Sequence, residues 1–118
     1  MDVSKRDLNN KEILFMSIKF FNYENLIKES LENLGAKVDW YDERPHNNFY
    51  TKAAIRLKKS LIQYSITQYF MGLIEKLGKK KYDYFFLIKG ETTPKFFIEF
   101  LKKNNPNIQL IFYIHLFS

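Results

Sequence analysis

A chain of 118 residues, 46% of them hydrophobic with 12 Phe and 8 Tyr, is the size of one domain and has enough apolar material for a core. The absence of cysteine excludes disulfides and thiolate chemistry, and 4 Gly and 3 Pro argue against collagen-like or disordered sequence. The formal charge of +6 suits attraction to nucleic acid, anionic lipid headgroups or phosphorylated small molecules, and its sign does not choose among them.

Residues 1–11 are polar and aperiodic and read as a frayed lead-in. Residues 12–18 are short, almost continuously apolar and rich in strand formers, which predicts a strand covered on both faces. Tyr23, Leu26, Ile27, Leu31 and Leu34 then follow helical spacing opposite Lys28, Glu29 and Glu32, with Asn22 as the expected N-cap and Gly35 as the left-handed stop. Residues 37–41 form a second strand and 42–48 a polar loop. From Phe49 to Leu77 there is no proline, and Ala54, Leu57, Leu61, Ile62, Ile66, Tyr69, Leu73 and Leu77 keep helical spacing. Unbroken, this helix would measure about 40 Å, more than a sheet needs, so a break is expected near residues 60–65, or a projecting end.

Residues 83–88 make the most strand-like run in the chain. Thr93 and Pro94 are placed to cap and open a helix whose apolar face is Phe96, Phe97, Phe100 and Leu101. Asn104-Asn105-Pro106 ends it, and residues 109–114 form the last strand. The alternation predicts one α/β domain over residues 1–118: a Rossmann-like parallel sheet of about four strands, ordered 2-1-3-4 and flanked by helices. With no helix after the last strand, Phe112, Ile114 and Phe117 are expected to stay exposed, so that the chain self-associates or is marginally stable. The longest apolar stretches, residues 13–18 and 110–117, fall short of the roughly 20 residues that span a bilayer. No secretory signal is read, and with the missing cysteines this points to the cytoplasm, leaving peripheral contact with a membrane open.

Ligands of open α/β sheets sit beyond the carboxyl ends of the strands, which directs attention to residues 19–22, 42–48, 89–93 and 115–118. The first of these has no glycine, so neither a dinucleotide fingerprint nor a P-loop is present. In the second, Arg44 is suited to grip a phosphate or carboxylate, while Asp42 and Asn48 serve equally well as caps of local structure. His46 has no histidine or cysteine neighbour to make a metal site. In the third, Gly90 permits close backbone approach, Lys89 brings positive charge, and Glu91 is suited to accept a sugar hydroxyl or act as a base, whereas Thr92 or Thr93 would cap the next helix. Lys52, Arg56, Lys58 and Lys59, and Lys76 with Lys79, Lys80 and Lys81, read as solvated charges, and no nucleic-acid reader motif accompanies them.

Three segments resemble the N-terminal region of CgeB-like proteins, glycosyltransferase-like proteins of capsule, lipopolysaccharide and spore-coat polysaccharide synthesis. They are Phe20-Phe21-Asn22-Tyr23-Glu24, the stretch from Leu34 to Phe49, and the stretch from Tyr82 to Glu91. The resemblance spans nearly the whole chain, and its distinctive parts are Asp42-Glu43-Arg44-Pro45-His46-Asn47-Asn48 and Lys89-Gly90-Glu91. It implies the N-terminal half of a two-domain GT-B fold. The sugar nucleotide would be held mainly by a C-terminal catalytic domain absent from this chain, and the glycan acceptor would approach from the N-terminal side. On this reading Asp42, Arg44, Asn47, Asn48, Lys89 and Gly90 contact substrate, Glu91 is the candidate catalytic residue, and no metal or cofactor is held by the chain. The family pattern continues from the last strand into Trp-Asp-Ser, where this chain reads Tyr113-Ile114-His115, so a truncated fragment inactive alone is expected. The other expectation is a non-enzymatic binding or assembly module that pairs with a separately encoded partner through its uncovered edge strand and long helix.

Overall fold

The structure, a computed structural model, describes residues 8–18, 22–45, 48–88 and 92–113. Eight elements follow one another: β1 (Glu12–Ser17), α1 (Tyr23–Asn33), β2 (Lys37–Asp42), α2 (Asn48–Ile55), α3 (Lys59–Leu77), β3 (Tyr84–Ile88), α4 (Lys95–Asn104) and β4 (Gln109–Tyr113). All strand pairs are parallel, in the order β2-β1-β3-β4. The chain is therefore an α/β domain of the Rossmann-like kind, with the strand order expected from its βα alternation.

The continuous apolar runs exist because both faces of the sheet are covered. Leu14 and Met16 of β1, with Phe85 and Leu87 of β3, pack on Ile66, Phe70, Leu73 and Leu77 of α3 and on Phe97 and Leu101 of α4. Ile13, Phe15 and Val38 face the other way, where Ile27 and Leu31 of α1 and the ring of Trp40 meet them. Phe15, Phe70, Phe85 and Phe97 are fully buried, each contributing roughly 2–3 kcal/mol of transfer free energy.

α1 turns a narrower face to the sheet than its spacing predicts. Ile27 and Leu31 are covered, but Leu26, about 100° round the helix from Ile27, and Tyr23 in the first turn are exposed, while Glu24 is buried. Asn22 does not cap through its side chain: it adopts φ 65°, and its backbone carbonyl accepts from the amides of Asn25 and Leu26. Gly35 ends α1 as expected, at φ +99°, with the amides of Gly35 and Ala36 donating to the carbonyls of Glu32 and Leu31. A Cβ there would lie 2.7 Å from Asn9 Cα, so only glycine fits.

The long helical segment breaks earlier than expected, at residues 56–58. Leu57 adopts φ +55°, its amide donates to the Ala54 carbonyl and the Lys58 amide to the Ala53 carbonyl. This is the hydrogen-bond pattern that ends α1, with leucine where α1 has glycine. A side chain in this backbone region costs about 1 kcal/mol relative to glycine. α3 then starts at Lys59 with no side-chain cap and no acidic residue in its first turn. Pro94, expected in the first turn of α4, instead occupies the position before it, in extended conformation.

The amino-terminal edge of the sheet is held by polar contacts. Asp39 accepts from the Lys80 ammonium and, at 2.7 Å, from the Tyr82 hydroxyl. Burial alone would raise the Asp39 carboxyl, but these two donors outweigh it and hold the group below its ordinary value. Asn105 accepts from the Tyr82 amide and donates to the Leu101 carbonyl, which ties the end of α4 to the start of β3. Lys80 and Lys81, read from sequence as solvated charges, therefore have structural partners, Lys81 donating to the Asn104 carbonyl. Among the described residues no helix is long and apolar enough to cross a membrane.

Candidate functional site at the carboxyl edge of the sheet

Because the strands are parallel and β1 lies between β2 and β3, the segments following β2 and β3 leave the sheet at the same edge. Glu43, the first residue after β2, joins them. Its amide donates to the Ser17 carbonyl at the end of β1, 3.0 Å away. Its side chain is fully buried, and Oε2 accepts from the amides of Thr92 (3.0 Å) and Thr93 (3.3 Å) and from the Thr93 hydroxyl (3.2 Å). The Thr92 hydroxyl donates to the Glu43 carbonyl. One residue thus clasps the loop after β3 across the top of β1. Three donors on one oxygen offset the cost of burying the charge. The other oxygen, Oε1, is buried with no hydrogen-bond partner among the described residues.

Neighbouring groups brace the same edge. Asp42 Oδ1 accepts from the Arg44 amide at 2.8 Å, closing a tight turn, and the Asp42 carbonyl accepts from the Tyr69 hydroxyl of α3. Burial, with the adjacent Asp42 charge, pushes that hydroxyl up to about 12. Trp40 Nε1 donates to Ser17 Oγ at 2.9 Å. Three carboxylate residues of this region of the sequence, Glu24 in the first turn of α1, Asp42 and Glu43, are buried or nearly so, and Arg44 is half-buried.

Of the residues singled out from sequence, Asp42 and Arg44 share this turn, and Asp42 has the local structural role that was its alternative reading. Asn48 opens α2. His46, Asn47, Lys89, Gly90 and Glu91 lie outside the described residues, as do Ile114 and Phe117. Thr92 and Thr93 do not cap α4 with their side chains. Their hydroxyls go to Glu43 instead, because α4 starts only at Lys95. Sequence reasoning missed Glu43, since a charged residue in a polar loop carries no mark of burial; the nearest signal was the pair of consecutive threonines after β3, too many donors for one cap. Among the described residues no group of three or more His, Asp or Glu is placed to hold a metal ion.

At the far edge, β4 pairs only with β3 among the described strands, and Ile111, Phe112 and Tyr113 are each about half exposed. Of the three side chains expected to remain uncovered, Phe112 does so, and Ile114 and Phe117 lie outside the described residues. Comparison with known proteins finds no matching family model, no matching curated protein and no matching solved structure.

Proposed function

We propose that this chain is the acceptor-side, Rossmann-like domain of a glycosyltransferase-like protein of bacterial surface-polysaccharide synthesis, contributing one wall of an interdomain cleft and not completing catalysis by itself. The observation that carries the reading is the Glu43 clasp. It ties Thr92 and Thr93, which follow Lys89-Gly90-Glu91 in the sequence, to Glu43 after β2, at the edge of the sheet where open α/β folds bind ligands. The resemblance gives this domain the glycan acceptor and leaves the sugar nucleotide mainly to a C-terminal domain. Arg44, Asn47, Asn48, Lys89 and Gly90 would orient hydroxyls and leaving-group oxygens, and Glu91 would act as the base. Saturation-transfer NMR of the chain with surface-polysaccharide oligosaccharides and with sugar nucleotides tests this. The expected result is transfer to the oligosaccharide, weakened by Arg44→Ala. No transfer to any saccharide from folded protein would refute it.

A second reading, a non-catalytic assembly module, is favoured by β4, which pairs only with β3 among the described strands and has half-exposed Ile111 and Phe112. It predicts a stable complex through β4 and no saccharide binding.

A further inference from the structure

The turn between α2 and α3 presents apolar and cationic side chains together. Ile55, the last residue of α2, is 76% exposed, and Leu57, in the turn, is 80% exposed. Leu61, in the first turns of α3, is also exposed. Leucine occupies a position at residue 57 whose backbone favours glycine, and its side chain packs on little in return. Around these residues stand Lys52, Arg56, Lys58 and Lys59, all exposed, and among the described residues none forms an ion pair with a carboxylate. The sequence has no Asp or Glu between Glu43 and Glu75. An exposed aliphatic cluster ringed by unneutralised cations is costly in water and is matched by a surface offering negative charge above hydrocarbon.

We propose that the α2–α3 turn docks this protein on an anionic lipid surface, Ile55 and Leu57 entering between the headgroups while Lys52, Arg56, Lys58 and Lys59 face lipid phosphates. The aliphatic side chains decide between lipid and nucleic acid. A single strand is gripped by stacking on aromatic rings beside the cations, whereas Ile55, Leu57 and Leu61 offer no ring at the tip of the turn. This inference is independent of the saccharide reading of the carboxyl edge, which lies on different residues.

The test is co-sedimentation of the 118-residue chain with vesicles of phosphatidylglycerol and phosphatidylcholine, against vesicles of phosphatidylcholine alone. Strong partition onto the anionic vesicles is expected, falling as salt is raised. Leu57→Gly should leave the melting temperature unchanged or higher and lower partition roughly tenfold, from the lost side-chain insertion. Ile55→Ser should lower partition similarly. Lys58→Gln with Lys59→Gln should lower it on the order of 30-fold, at ~1 kcal/mol per cation near an anionic surface. Equal partition onto both vesicle types would overturn the proposal, as would unchanged partition of Leu57→Gly and Ile55→Ser. Retention on single-stranded RNA without retention on vesicles would overturn it in favour of nucleic acid.

Discussion

Replacing Glu43 by alanine removes an acceptor that holds two amides and a hydroxyl of residues 92 and 93. Each buried donor left unsatisfied costs about 1–3 kcal/mol. Thr92 and Thr93 are only half-buried, so water replaces part of the loss, and removing the buried carboxylate recovers some desolvation cost. Together these leave a destabilisation of about 3 kcal/mol, a large fraction of the roughly 5–15 kcal/mol that holds a domain of this size. Glu43→Gln keeps an oxygen acceptor and nearly the same shape, and should cost about 1 kcal/mol. Urea unfolding is the assay: the midpoint should fall with the slope unchanged, and Glu43→Ala should melt about 12 °C lower at ~4 °C per kcal/mol. An alanine variant within about 0.5 kcal/mol of the unmodified chain, the usual range for an exposed substitution, would refute the clasp as the element that fixes the two segments.

Phe97→Ala should cost about 3–5 kcal/mol in the same assay, because this fully buried ring meets Phe70 at 5.0 Å and Phe85 at 6.0 Å between centroids; a cost below about 1 kcal/mol would contradict the packing of α4 on the sheet. Tyr69 should titrate near pH 12 in ultraviolet difference spectra. Its folded value is raised, so its contribution to stability is complete below the unfolded value near pH 10 and is lost as pH rises toward 12; Tyr69→Phe should be flatter across that window. Asp39 has the opposite sign. Its folded value is lowered, so its contribution is present above about pH 4 and is lost as pH falls through the lowered value; Asp39→Asn should remove that part of the acid transition, and an unchanged acid limb would count against the Lys80 and Tyr82 contacts.

The sheet was legible because a strand buried on both faces must be apolar at successive positions, as β1 is from Ile13 to Met16, and because glycine marks the stop after α1. The break at residues 56–58 was not. Its left-handed residue is leucine, so the chain carries no glycine to announce it, and helical spacing of apolar residues continues across the turn. α1 misled in a related way: Tyr23 and Leu26 fit an amphipathic pattern, but only Ile27 and Leu31 lie on the stripe that meets the sheet. For the site, parallel topology alone brought the segments after β2 and β3 to one edge, which composition anticipated. The residue that joins them could not be read, because whether a glutamate is solvated or clasped depends on donors 49 and 50 residues away in the chain.

The central claim, that the carboxyl edge of the sheet is a saccharide-binding wall, is tested most directly by amide chemical-shift mapping of the isotope-labelled chain during titration with a surface-polysaccharide oligosaccharide. The account predicts shifts concentrated at residues 17–22, 42–48 and 89–93, with the α2–α3 turn and β4 unaffected. Shifts confined to β4 or to the α2–α3 turn, or none at saturating saccharide, would contradict it.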